Sequence, residues 1–205
     1  MVKNPYPGKF IVIEGLDGSG LTTQAHLLVN FLHSKKIDAI LTKEPTKNSS
    51  VSQEIENILS QRKPMGAFGL QRLFAQDRKE HLENVIIPSL KEGRWVVCDR
   101  YLFSSLAFGA ETEEEMEEIF KLNENFLMPD LAIFIKVSPE ICLKRIQKRG
   151  EEIKLFEKKE KLEKVFEDYM KLAQKFDNFV IVDGEKSIDE VSKEIQKIIS
   201  EKFKI

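Results

Sequence analysis

Cysteine is scarce in this chain. Its 205 residues contain only Cys98 and Cys142, far apart, with no CxxC pair, so a zinc ribbon or a thioredoxin-like centre is not expected. Each cysteine sits among apolar neighbours and reads as a small core hydrophobe. Long apolar runs are also missing, and none nears the roughly 20 residues of a membrane span. The opening "MVKNPYPGK" lacks the pattern of a signal peptide. Charge of one sign does not dominate either: the net charge is −2, which favours neither nucleic acid nor an acidic membrane as partner. The expectation is a cytoplasmic protein with local anion-binding sites. There is no internal repeat and no low-complexity linker.

What is present is a core-forming composition, 41% hydrophobic and 32% charged. Short apolar runs alternate with helical periodicity. "KFIVIEG", "DAILTKE", "GRWVVCD", "LAIFIKV" and "NFVIVDG" read as buried strands. "TTQAHLLVNFLHSKK", "PEICLKRIQKR", "EKLEKVFEDYMKLAQKF" and "SIDEVSKEIQKIIS" read as helices, and "SSVSQEIENILS" as a helix behind capping serines. "LQRLFAQDRKEHLENVIIPSL" predicts one long helix that ends or bends near Pro88. Five such strands separated by helices predict a parallel α/β sheet covered on both faces, with ligands beyond the carboxyl ends of its strands. His26, His33 and His81 fall on helices without a spaced ligand or nucleophile and are read as structural or surface groups. Trp95 is read as core or half-buried beside the third strand.

The stretch "GLDGSGLT" lies between a strand and a helix. It matches the phosphate-loop pattern G-x-x-x-x-G-K-[ST] at every fixed position but one. Gly15, Gly18 and Gly20 permit the turns that aim successive N–H groups at phosphate oxygens, with Ser19, Leu21 and Thr23 in the same cradle. Thr22 is placed to bind Mg²⁺. Asp99, ending the strand "VVCD", is a second partner for that metal. The departure is Leu21, which stands where the pattern has lysine. Losing one or two charge-assisted hydrogen bonds there would slow turnover by about 10- to 10⁴-fold unless another cation compensates.

The segments "TKEPT", "LFAQDRKEH", "DRYLFSSLAFGA", "LMPDLAIFIKV", "RIQKRGEEIKLFE" and "VFEDYMKLA", with the phosphate loop, occur in the order seen in thymidylate kinases. The chain resembles that family of nucleoside-monophosphate kinases, which make dTDP from dTMP and ATP. The resemblance implies a P-loop kinase-like three-layer sandwich, with residues 1–205 as a single domain and a short lid insert at about 148–157. It also implies ATP and Mg²⁺ as cofactors, dTMP as substrate and a homodimer.

Residue by residue, it implies that thymine stacks on Phe74 and is hydrogen-bonded by Arg78, four residues on along one helix face. Asp17 would meet the sugar 3′-hydroxyl and Arg100 would clamp the acceptor phosphate. Ser104 and Ser105 would line the nucleotide, and Phe108 would crowd the 2′ position. The family places a second arginine before Glu-Pro; here Lys43 precedes Glu44-Pro45, keeping the charge but not the fork. Bacterial members often have Tyr-Gln where this chain has Phe108-Gly109. Lid arginines of bacterial-type members reach over ATP, and here Lys148, Arg149 and Lys154 occupy that region, behind Arg145 on the preceding helix. The expectation is that Arg149 or Lys154 supplies the charge that Leu21 lacks. Two other readings stay open from sequence alone: a nucleotide-binding or regulatory protein on an impaired kinase fold, and a kinase for another nucleoside monophosphate.

Overall fold

The apolar run Phe10–Gly15 is the central strand of the molecule, buried along its whole length. The computed structural model describes residues 1–47, 49–60, 65–149 and 159–205, the side chains at 67 and 149 excepted. In chain order the elements are β1 (Val2–Lys3), β2 (Phe10–Gly15), α1 (Leu21–Ser34), β3 (Ala39–Lys43), α2 (Ser50–Leu59), α3 (Ala67–His81), a π-helical turn (Leu82–Ile86) and α4 (Ile87–Lys91). They continue as β4 (Trp95–Asp99), α5 (Leu102–Gly109), α6 (Glu113–Leu122), β5 (Leu127–Met128), β6 (Leu131–Lys136), α7 (Pro139–Arg149), α8 (Lys159–Lys175), β7 (Phe179–Asp183) and α9 (Ile188–Phe203).

The five predicted strands form one parallel sheet in the order β3-β4-β2-β6-β7. A strand buried on both faces cannot alternate apolar with polar residues, which is why these segments read as continuous apolar runs. Helices cover the sheet. Helix α1 packs with α9 and against β2, β3 and β4, while α4 packs on β4, α5 on β2 and α8 on β7. In α1 the buried positions Leu21, Ala25, Leu28 and Leu32 recur at helical spacing. β1 and β5 form a separate two-stranded parallel ribbon that sequence reading did not identify.

The predicted long helix is interrupted. Pro88 has no N–H for the helical ladder, and just before it the chain widens into the π turn, where the Ile87 N–H bonds to the Leu82 carbonyl. The serines before α2 act as expected: Ser49 caps it through a reciprocal box with Ser52. A small second core of Val51, Ile55, Ile58 and Leu70 ties α2 to α3, with Phe74 against it. The main core holds both cysteines as free, buried thiols. Burial pushes the Cys98 thiol well up and the Cys142 thiol to about 12. Among the described residues no helix is long and apolar enough to cross a membrane.

Candidate active site

The carboxyl ends of β2, β3 and β4 lie side by side, and register decides what meets there. Ile13 pairs with Asp99 and Lys43 pairs with Asp99. β2 then runs into the phosphate loop. Gly18 and Gly20 have φ of 86° and 97°, the left-handed region that disfavours side chains. A Cβ at Gly18 would also sit 2.7 Å from the Cys142 carbonyl oxygen, so the loop rests directly on the backbone of α7. No side chain caps α1. Its first-turn N–H groups, which have no partner inside the helix, therefore border a small cavity of about 140 Å³ formed with Gly18, Gly20, Thr22 and Thr23. The Ser19 hydroxyl is buried and has no hydrogen-bond partner. Leu21 is 6% exposed and belongs to the main core, so the loop geometry survives without a lysine.

Asp99 gathers the next contacts. Its Oδ2 accepts from the Thr22 hydroxyl at 2.6 Å and from Lys43 Nζ at 2.9 Å. Its Oδ1 is buried without a partner. A hydroxyl and a carboxylate with a spare oxygen, beside a phosphate cradle, suit Mg²⁺, which keeps most of its waters and takes the rest of its shell from phosphate. Among the described residues no cluster of three or more His, Cys, Asp or Glu side chains could hold a metal alone.

Arg100 joins this region to a larger cleft. Its backbone is itself left-handed, with φ of 71°. The guanidinium donates to Asp17 Oδ1 at 2.9 Å, to the Gly15 carbonyl at 2.9 Å and to Ser104 Oγ at 3.1 Å, and lies over the Phe108 ring. Burial works against its charge, but Asp17, Tyr169, Asp99 and Glu14 outweigh that and leave it even more firmly protonated than usual. Behind it Glu14, fully buried, accepts from the Tyr101 N–H, the Ser104 hydroxyl and the Tyr169 hydroxyl. Burial raises the Glu14 pKa, against the hydrogen bond from Ser104 and the charge of Arg100.

The cleft measures about 920 Å³ and is bordered by Asp17, Lys43, Pro45, Phe74, Arg78, Arg100, Ser104, Ser105 and Phe108. That volume suits a nucleotide-sized ligand. Phe74 is half-buried and presents itself to the cleft from α3. Arg78 shares that helix face as predicted, but it is 1% exposed and its donors are engaged within the protein. Nε meets Glu44 at 2.8 Å, Nη1 meets Asn123 at 2.5 Å and Nη2 meets Ser105 at 3.1 Å, with the group stacked over Tyr101. His81 is structural, as read: it lies between Glu44 and Thr42. Asp77 holds the loop after Pro45 by accepting from the Thr46 N–H at 2.8 Å.

The family model for thymidylate kinase matches residues 13–195. The chain belongs to the thymidylate kinase family. It is 42% identical over 187 residues to the probable thymidylate kinase of Methanocaldococcus jannaschii, covering 91% of this chain and 93% of that protein. The probable thymidylate kinase of Pyrococcus horikoshii is 36% identical over 197 residues, 94% of this chain and 96% of its own length. The thymidylate kinase of Desulfotalea psychrophila is 37% identical over 190 residues, 92% and 93% respectively. Membership in this family makes the chain a nucleoside-monophosphate kinase, a phosphotransferase, and the resemblance read from "DRYLFSSLAFGA" and "LFAQDRKEH" is borne out.

Within this thymidylate kinase fold the expected residues Asp17, Thr22, Lys43, Asp99 and Arg100 meet at one junction. The Arg149 side chain and Lys154, expected over the donor phosphates, lie outside the described residues. Sequence reading missed Glu14, Glu44, Asp77 and Tyr169, the buried groups that hold the visible ones. It also missed Gln71, a buried cleft residue on α3 whose Oε1 has no partner. The Gln71 amide fills the space beside Gly109, where an added Cβ would lie 2.4 Å from its Nε2. The Phe108-Gly109 departure from the bacterial Tyr-Gln pattern was the available signal for it.

Proposed function

We propose that this chain transfers the γ-phosphoryl group of ATP to dTMP, giving ADP and dTDP. One observation carries the reading: the loop cavity and the cleft are both bordered by Asp17, Lys43 and Arg100. A donor phosphate seated on the loop and a monophosphate seated in the cleft would therefore face each other across one carboxylate and two cations. Phosphoryl transfer asks the protein for positioning and charge neutralisation more than covalent chemistry.

In this reading Gly18, Ser19, Gly20 and the first turn of α1 cradle the ATP phosphates through backbone N–H groups. Thr22 and Asp99 would hold Mg²⁺, which neutralises charge on the transferring phosphoryl group. Arg100, already oriented by Asp17 and Ser104, clamps the acceptor phosphate, and Asp17 contacts the sugar. Phe74 stacks the base. Arg78 acts first as a fixed wall of the base pocket, since its donors face Glu44, Asn123 and Ser105. The same reading carries a cytoplasmic homodimer; light scattering on the purified protein checks the dimer.

The test is a coupled assay for ADP with ATP, Mg²⁺ and dTMP, with dUMP, dCMP and AMP as rival acceptors. Turnover is expected with dTMP above the others, falling by about 10²–10³-fold in Arg100→Ala as a preorganised charge contact is lost. Equal turnover with AMP or dCMP overturns the substrate assignment. No turnover with any acceptor, in a protein that still binds ATP, favours the regulatory reading.

A further inference from the structure

The loop offers no cation of its own, since Leu21 is an apolar core residue at the position where the phosphate-loop pattern has lysine. We propose that Lys43, the last residue of β3, supplies the donor phosphates of ATP with the charge that Leu21 does not. The inference rests on the kinase reading above and assigns Lys43 a role on the donor side, where resemblance had placed it on the acceptor side and had placed the compensating charge in the lid.

Three observations carry it. The first is register. Lys43 is the parallel partner of Asp99, so the sheet itself sets it beside the carboxylate that also binds Thr22. Matched residues on adjacent parallel strands share a face. The Lys43 ammonium rests 2.9 Å from Asp99 Oδ2, the oxygen that the Thr22 hydroxyl meets at 2.6 Å. It is therefore already at the mouth of the phosphate cradle, next to the residue that follows Leu21.

The second is availability. Among the described residues, the cations bordering the loop cavity are Lys43 and Arg100. Arg100 is tied to Asp17, the Gly15 carbonyl and Ser104, and in the kinase reading its remaining donors serve the acceptor phosphate. Arg145 reaches the loop from α7, but only to the Gly18 carbonyl at 3.4 Å, and it does not border the cavity. The Lys43 side chain is 44% exposed. An ammonium on a four-carbon stem has three donors and can exchange a carboxylate oxygen for a phosphate oxygen with little rearrangement.

The third is the state of Asp99. It is 2% exposed, and its Oδ1 has no partner while Oδ2 takes two donors. An unpaired buried carboxylate oxygen is costly, and here it sits one contact behind Thr22 and Lys43, which border the loop cavity, so a cation's water shell would satisfy it. With donor phosphates seated at the loop cavity, the spare oxygen of Asp99 would hold the metal through its water shell, and Lys43 would be free to turn from Asp99 to the phosphates.

A double-mutant cycle decides the matter, measured on the full chain. Its arms are the natural protein, Lys43→Met, Leu21→Lys and the double variant. The readouts are the affinity for adenosine β,γ-imidotriphosphate with Mg²⁺ by calorimetry, the affinity for dTMP, and ADP formation. Lys43→Met keeps an unbranched stem and is expected to weaken the ATP analogue by about 10- to 100-fold, the value of one charge-assisted hydrogen bond. Leu21→Lys should restore most of that loss when combined with Lys43→Met and add about threefold or less to the natural chain, because two ammonium groups then share one phosphate. Lys43→Arg, which keeps the charge, should stay within about tenfold of the natural protein and serves if the methionine variant misfolds. Equal gains from Leu21→Lys in both backgrounds overturn the proposal. So does a Lys43→Met protein that loses dTMP affinity but keeps that of the analogue. If the natural chain binds the analogue yet phosphorylates no monophosphate, the kinase reading fails while the binding cycle still decides the role of Lys43.

Discussion

Glu14 shows how much of the site depends on a side chain that borders neither cavity. It is fully buried, and its carboxylate collects Tyr101, Ser104 and Tyr169, thereby fixing the strand-to-helix corner that carries Arg100. Burial lifts its pKa above the ordinary 4.5, only partly offset by the Ser104 hydrogen bond and the Arg100 charge. Between 4.5 and that raised value the native state holds a proton that the unfolded chain releases, so stability falls as pH rises through the window. Glu14→Gln removes this slope. Parallel urea melts from acid to neutrality should show the natural protein losing ground to the variant as pH increases; a pH-independent gap would rule the linkage out. Single residues were legible in the sequence where a motif fixed their neighbours, as for Thr22, Asp99 and Arg100. Glu14 was not, because Tyr169 lies 155 residues away and nothing local marks the pair. The engagement of Arg78 with Asn123, 45 residues on, was hidden for the same reason.

At the scale of elements, the small core between α2 and α3 ties together one wall of the cleft. Ile55 is fully buried there, apart from the main core, and Phe74 leans on the same cluster. Ile55→Ala should cost about 2–5 kcal/mol of local packing. The effect should be an increased KM for the monophosphate with little change in affinity for the ATP analogue, since the phosphate loop belongs to the other core. Equal changes in both would show that α2 and α3 do not act as a separate wall. The five strands of the main sheet and helices α1, α2, α7, α8 and α9 were predicted from period and caps because their patterns are local, whereas the acidic helix α6 behind Thr112 and the short strands β1 and β5 were not. Helix α5 was not, since "LFSSLAFG" is buried on almost all sides and has no polar face to set a period. The π turn was unreadable as well: Pro88 announced a break but not that the preceding turn would widen to accommodate it.

Across the whole molecule, the order β3-β4-β2-β6-β7 brings residues 15–22, 43 and 99–100 to one edge of the sheet, although they are scattered through the first half of the chain. The α/β class followed from strand and helix alternation. Strand order did not, since parallel crossovers leave no local trace, and the Lys43–Asp99 pairing depends on that order alone. Two adjoining sites imply that each substrate stabilises the fold on its own. At a hundredfold excess over its Kd, dTMP should add about 2.7 kcal/mol, read as a rise in Tm, and the rise should shrink in Arg100→Ala. An unchanged melting curve with dTMP in large excess would show that the folded chain does not bind dTMP.

The two cysteines have a practical consequence. Both are buried and free, and burial pushes both thiols up, Cys142 to about 12, which disfavours the reactive thiolate. The folded chain is expected to react little with maleimide dyes, and a single cysteine placed at an exposed position such as Glu118 should then carry the label. Fluorescence could then follow nucleotide binding without first removing the native thiols from the core.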